Sequence, residues 1–197
     1  MVEQINWLAL LVGVAGFIIA YFFDWVSLRR IRGAKQIVGF LFIALEGYAL
    51  FLACWGARQF SLPVGVVVLG WVLLPTSVAL IIYSVLIEVP LVKTYRDAGV
   101  GNRLIRTGTY ALVRHPGVIW YALFLLSLVL ITRSVTLLVA APVWLLMDVL
   151  YVVIEERFFL QRMFPAYEQY RRQTPMLIPT RRSIVDCYKT LKRREVT

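Results

Sequence analysis

The chain has 197 residues, of which 60% are hydrophobic, and it carries a formal net charge of +10. Its mean hydropathy of +0.76 exceeds that of soluble domains and indicates an integral membrane protein, and the length leaves no room for a large domain outside the membrane. The positive charge does not indicate nucleic-acid binding, because the basic residues occur in short runs between apolar segments, as membrane topology requires.

Five apolar segments follow one another along the chain. A membrane-spanning helix needs about 20 apolar residues, and the fourth segment is the shortest of the five. The link from the fourth segment to the fifth is so brief that these two must form a tight antiparallel hairpin. We therefore predict an all-α membrane protein with five transmembrane helices, at Ile5–Phe23, Gln36–Cys54, Pro63–Ile87, Gly117–Ile131 and Val135–Ile154.

The distribution of basic residues predicts the orientation of these helices. The first and third links are rich in lysine and arginine, whereas the second contains Arg58 alone and the fourth contains Arg133 alone. Basic links stay on the cytoplasmic side of a membrane. The pattern therefore predicts a multi-pass protein with its N-terminus outside and its C-terminus in the cytoplasm.

The third link and the end of the chain also carry structural signals. The stretch from Lys93 to Arg114 is long enough for a short interfacial helix, and Gly108 marks a turn within it. Apolar residues at helical spacing predict a cytoplasmic amphipathic helix over residues 155–172, which Pro165 should kink or divide. The following stretch, 181–197, is interpreted as a basic tail.

The only histidine of the chain, His115, stands between Arg114 and Pro116 at the start of the fourth apolar segment. Proline suits the first turn of a helix, so His115 should cap that helix beside free N–H groups and the positive end of the helix dipole. Such an end can bind a carboxylate or a phosphate, and Gly117 would let a ligand approach the backbone. The alternative is a histidine that merely reaches the membrane surface beside an arginine.

Two adjacent acids, Glu155 and Glu156, end the fifth segment. Neighbours on a helix differ in direction by about 100°, so only one of them can point into the bundle. We predict that this is Glu155, because it shares a helix face with Asp148, and that Glu156 faces solvent or an arginine. Asp148 and Glu46 lie within apolar segments, where acids are costly and therefore candidates for function, although each can also be a packing contact.

The ordered motifs from Thr107 to Pro179 resemble those of the isoprenylcysteine carboxyl methyltransferase and phospholipid methyltransferase group. The matching residues are Thr107-Gly108-Thr109-Tyr110, Val113-Arg114-His115-Pro116, Glu155-Glu156, Phe164 with Tyr167 and Tyr170, and Pro175 with Leu177-Ile178-Pro179. Residues 1–197 then form one integral-membrane domain, with three spans in 1–90, a cofactor-binding catalytic part in 107–179 and the tail in 180–197. The group's usual tyrosine and glycine are replaced here by Val118 and Trp120.

The resemblance implies that S-adenosylmethionine binds at the cytoplasmic ends of the last helices. Methyl transfer would then go to a lipophilic small-molecule or lipidated acceptor that enters from the bilayer, and membrane lipids would be further partners. The cofactor-binding residues implied are Tyr110, His115, Pro116, Gly117, Glu155, Glu156, Tyr167, Leu177 and Ile178. The catalytic set comprises His115 and Glu155 as candidate bases, and Arg114, Arg171 and Arg172 as candidate partners of an acidic head group.

Two other functions compete with methyl transfer. One is an NADPH-dependent membrane reductase of the steroid 5α-reductase type, which the adjacent acids disfavour because they would repel the dinucleotide phosphate. The other is a non-enzymatic scaffold or small transporter, for which only Glu46 and Asp148 are polar groups in mid-membrane. No metal site is expected, since the chain has one histidine and no cysteine cluster.

Overall fold

A computed structural model describes residues 5–29, 33–55, 57–89 and 104–194. Within these residues the regular structure is helical, apart from one isolated antiparallel bridge between Gln59 and Ser134. The helices are α1 (Trp7–Arg29), α2 (Ala34–Cys54), α3 (Val64–Ile81), α4 (Thr109–Leu112), α5 (Pro116–Thr132), α6 (Val135–Ile154), α7 (Tyr167–Gln173) and α8 (Arg181–Arg194). Helix α3 continues in π-helical turns through Ile82–Glu88, and α6 continues in π-helical turns through Glu155–Leu160 and an α-helical turn at Gln161–Met163.

Four helical stretches in the described part of the chain are long and apolar enough to cross a membrane. They are Trp7–Ser27, Ala34–Cys54, Val64–Glu88 and Val135–Met163. Helix α5 is apolar but has only 17 residues, which is short of the length that a span needs. The chain is therefore a multi-pass membrane protein whose described residues fold into helices, and the fifth crossing stays a prediction.

The helices pack in two groups that α5 and α6 connect. Helix α1 packs along α2 and α6, whereas α3 packs along α5. The fully buried indole of Trp144 on α6 donates a hydrogen bond from Nε1 to the carbonyl of Leu10 on α1, 3.2 Å away. A Cβ at Gly13 would overlap this indole, so the glycine permits the close approach of the two helices.

The links between helices meet at two opposite ends of the bundle. At one end the amide of Phe60 donates to the carbonyl of Arg133, and the amide of Val135 donates to that of Arg58, both over 2.9 Å. At the other end the amide of Arg114 donates to the carbonyl of Pro175 over 2.9 Å. The second link therefore lies beside the fourth, and the third lies beside the C-terminal segment, which is the arrangement that five crossings require.

In the C-terminal part, the division of the helix over 155–172 agrees with the sequence-based prediction, whereas the structure of 181–194 differs from it. The predicted amphipathic helix over 155–172 is divided, because helical structure stops at Met163 and resumes at Tyr167. Pro165 lies in this gap, as expected of a residue that has no amide hydrogen to donate. The interpretation of 181–197 as a basic tail is wrong for its larger part, since Arg181–Arg194 forms α8 and packs against α4.

Most of the third link lies outside the described residues. The interfacial helix predicted between Lys93 and Arg114 can therefore be compared only with the short helix α4. The turn predicted at Gly108 is confirmed: its φ is +65°, and its carbonyl accepts a hydrogen bond from the amide of Ala111. This left-handed conformation suits glycine.

Candidate functional site

A cavity with a volume of about 810 Å³ lies within the bundle and reaches the end where the third link meets the C-terminal segment. This volume falls in the range of small-molecule sites, roughly 300–1,000 Å³. Its lining is mostly apolar, with polar groups at both ends. The polar end near the links is lined by Tyr110, Arg114, His115, Glu155, Tyr167 and Tyr170, together with Pro116 and Gly117.

Arg114 holds this end of the cavity together. Its guanidinium makes a bidentate ion pair with the carboxylate of Glu156, with distances of 2.7 Å from Nε and 3.0 Å from Nη2. Its Nη1 donates to the carbonyls of Thr174 at 2.6 Å and Arg171 at 3.0 Å. Burial acts to lower the pKa of Arg114, but the hydrogen bond and charge of Glu156 raise it, and the net shift is upward. The guanidinium therefore stays charged and joins the start of α5 to α6 and α7.

His115 lies between the two glutamates at the predicted helix cap. It is the N-cap residue of α5, and Pro116 occupies the first turn, as the sequence predicted. Its Nε2 is 2.8 Å from Oε1 of Glu156, and its Nδ1 is 3.8 Å from Oε2 of Glu155. The imidazole is 10% exposed, and it lines the cavity.

The two glutamates differ in direction, as the helix geometry predicted. Glu155 lines the cavity together with Asp148, seven residues earlier on α6, and its side chain is 22% exposed. Glu156 is directed to Arg114 and His115 and is buried. Of the two surroundings predicted for Glu156, solvent or an arginine, the structure shows the arginine, and this arginine precedes it by 42 positions.

Three tyrosines, Tyr110, Tyr167 and Tyr170, line the same end of the cavity. Tyr167 and Tyr170 of α7 are buried, and the hydroxyl of Tyr170 donates to the carbonyl of Tyr110 over 2.6 Å. Burial, followed by the negative charges of Glu155 and Glu88, raises the pKa of the Tyr110 phenol. The phenol is therefore protonated at neutral pH and available as a hydrogen-bond donor at the cavity.

Five of the predicted site residues, Glu156 among them, do not line the cavity. Leu177 is half-buried elsewhere, and the side chain of Ile178 is 81% exposed. Arg171 and Arg172 are exposed on α7 and lie 3.8 Å and 3.3 Å from carboxylate oxygens of Glu168. Any contact of these arginines with a ligand would take place outside the cavity.

The inner end of the cavity carries polar groups in a mainly apolar wall. Glu46 of α2 and Asp148 of α6 both line it, with Tyr121 of α5 nearby. Neither carboxylate oxygen of Glu46, nor the hydroxyl of Tyr121, has a hydrogen-bond partner among the described residues. A Cβ at Gly16 of α1 would overlap the carboxylate of Glu46, so a glycine makes room for this acid. Asp148 lies about 10 Å deeper than Glu155 along the helix.

Besides Glu156, a second acid, Glu88, is buried, and it was not identified from the sequence. It is 5% exposed at the end of the π-helical part of α3, and it accepts hydrogen bonds from the amide and the hydroxyl of Thr109. The hydroxyl of Ser84 lies 3.0 Å from that of Thr109, to which it can donate, and it accepts a hydrogen bond from the indole of Trp120 over 2.9 Å. Glu88, like Glu155, directly follows an apolar segment, and this position is the sequence signal that the two acids share.

The arrangement combines a helix start, a cavity-lining carboxylate and a hydrogen-bonded histidine at the polar end of one apolar cavity. Comparison with curated proteins and with solved structures gives no match. The family model described as phospholipid methyltransferase matches residues 66–166, which is just over half of the chain and includes α5, α6 and the Arg114–Glu156 pair. The resemblance noted in the motifs is confirmed, and the chain belongs to the phospholipid methyltransferase family.

Proposed function

We propose that the protein transfers a methyl group from S-adenosylmethionine to a lipid acceptor within the cavity. The observation that carries this proposal is the convergence of Glu155 and the start of α5 on one cavity. Family membership favours methyl transfer over the reductase and scaffold alternatives. The remaining support is the chemical fit between the cavity and the two substrates.

The polar end of the cavity suits the charged groups of S-adenosylmethionine. The start of α5, at Pro116 and Gly117, is a favourable environment for a carboxylate because of the helix dipole. The carboxylate of Glu155 would pair with the ammonium, and the protonated phenol of Tyr110 would donate a hydrogen bond. When bound, the cofactor supplies an electrophilic methyl group on its sulfonium.

The apolar body of the cavity suits an acceptor that enters from the bilayer. The protein would orient the acceptor atom towards the methyl group and exclude water. A carboxylate acceptor needs no base, whereas an amine or thiol acceptor needs one, and His115 and Glu155 are then the candidates. Arg171 and Arg172, exposed on α7, would contact an acidic head group outside the cavity.

The first test concerns His115. The His115→Ala variant is expected to bind S-adenosylmethionine about ten- to a hundredfold more weakly, because it removes a hydrogen-bonding group that lines the cavity. It should still fold, because Glu156 keeps its bidentate pair with Arg114. Calorimetric titration of the purified protein, with NADPH as the control ligand, measures this. Unchanged affinity in the variant, or tight NADPH binding by the parent protein, would contradict the proposal.

The acceptor can be identified by offering the protein a complete mixture of lipids. The protein reconstituted in a total lipid extract should transfer isotopically labelled methyl groups to one lipid class, which mass spectrometry would reveal. The matched control is the Glu168→Gln variant, which removes an exposed carboxylate on α7 and should retain the activity. If no lipid class is labelled while S-adenosylmethionine binds, the lipid acceptor is wrong.

We also propose that the N-terminus lies outside and α8 lies in the cytoplasm, from the basic first and third links. Single cysteines at exposed Ser61 and exposed Tyr188, in a variant lacking Cys54 and Cys187, test this orientation. An impermeant thiol reagent applied outside should label position 61 and spare position 188. The reverse pattern would invert the topology, and labelling of both would contradict an odd number of crossings between them.

A further inference from the structure

The outer face of α8 combines basic and apolar side chains. Ile184, Val185 and Tyr188 are 53%, 48% and 68% exposed. Four exposed basic residues share this surface, namely Arg181, Arg182, Lys189 and Lys192. The described part of the helix holds one acid, Asp186, which is half-buried and lies 3.9 Å from Arg182. The surface is thus strongly basic and partly apolar.

The opposite face of α8 is already occupied by the rest of the protein. Ser183 is buried, and the hydroxyl of Thr190 accepts a hydrogen bond from the amide of Gly108 over 2.9 Å. The helix packs on α4, which directly follows Gly108. Because this inner face is fixed, the basic and apolar side chains of the outer face must point away from the bundle.

The position of α8 relates this outer face to the membrane surface. The amide of Thr109, the first residue of α4, donates a hydrogen bond to Glu88, which is the last residue of the third apolar stretch. A few residues after α4, Pro116 is the first residue of α5. Glu88 and Pro116 thus each mark the end of an apolar helix, so α4 and the helix packed on it lie at the level where the bundle leaves the bilayer.

We propose that the outer face of α8 binds anionic lipid head groups, and that this contact stabilises the turn at Gly108. Lysine and arginine at this level are attracted to anionic lipids, while tyrosine, isoleucine and valine can enter the head-group boundary. A zwitterionic lipid surface offers the apolar contact but lacks the net negative charge that would attract the basic side chains. The hydrogen bond from Gly108 to Thr190 then transmits the anchoring of α8 to the turn that carries Tyr110, a residue lining the cavity.

The lipid contact is tested with the full-length protein in bilayer discs. An environment-sensitive fluorophore is attached at Tyr188→Cys in the background Cys54→Ser/Cys187→Ser. The discs contain either phosphatidylcholine alone or phosphatidylcholine with one part in three of phosphatidylglycerol. The probe should shift to the blue and be quenched by brominated lipid in the anionic discs, and salt should weaken both effects. Equal spectra in the two discs would overturn the proposal, as would a shift that follows protein concentration, since that indicates a second copy as the partner.

The effect on the turn is read from amide hydrogen exchange of residues 108–113. Exchange should be about fivefold slower in the anionic discs, in the range of ordinary coupling energies. The Lys189→Gln/Lys192→Gln variant should lose this difference. The matched control, Arg157→Gln/Arg162→Gln, removes two exposed charges from the end of α6 and should keep it. An equal loss in both variants would overturn the proposal, because it indicates a general effect of net charge.

Discussion

Replacing Glu156 by glutamine is expected to lower the free energy of unfolding by about 3–5 kcal/mol, because it leaves a buried guanidinium without its carboxylate. The side chains of Arg114 and Glu156 are 8% and 10% exposed, so water cannot replace the lost partner. Unfolding by denaturant titration in a fixed detergent would measure the loss.

Two variants make this result specific. Glu168→Gln removes a carboxylate that pairs with Arg172 at an exposed site, and it should cost at most about 1 kcal/mol. Arg114→Met/Glu156→Leu removes both charges and should recover part of the stability lost in Glu156→Gln. If Glu156→Gln were no less stable than Glu168→Gln, the pair would not hold the helices together.

Replacing Glu155 by glutamine is expected to weaken S-adenosylmethionine binding by about 2–5 kcal/mol, because it removes the charge that would pair with the ammonium of the ligand. The free energy of unfolding should change little, because Glu155 lines the cavity. Its Oε2 is also 3.8 Å from Nδ1 of His115, which is longer than a hydrogen bond. Calorimetry under the same conditions as for His115→Ala would measure the affinity. Glu155→Gln should thus lose affinity for the ligand, whereas Glu156→Gln should lose stability. Parent-like affinity in Glu155→Gln would remove the main support for the cofactor site.

At the polar end of the site, the features that depend on residues close together in the sequence were predictable. His115 before Pro116 predicts a helix cap, and the structure has it there. Adjacent residues on a helix cannot share a direction, so one glutamate had to leave the cavity, and the shared face with Asp148 selected Glu155. The partner of Glu156 was not predictable, because a contact with Arg114 across 42 positions depends on how α5 packs against α6.

The errors concern segments whose structure depends on what they pack against. The segment 181–194 is basic and polar enough to suggest a solvated tail, yet Ser183 and Thr190 place one face of α8 on the rest of the protein. The burial of Glu88 was not predictable from the sequence, because an acid at the end of an apolar stretch is normally solvated. Its burial results from the turn at Thr109, which supplies its hydrogen bonds from 21 positions away.

The contact between Gly108 and Glu88 links two positions that are distant in the sequence. Any side chain at 108 would both oppose a φ of +65° and occupy the space of the Glu88 carboxylate. Shortening Glu88 removes only the second obstacle, so a substitution at 108 would become tolerable only when the backbone there also changes its conformation. In a library that randomises both positions, survivors with a residue other than glycine at 108 should therefore be rare, and they should lack glutamate at 88.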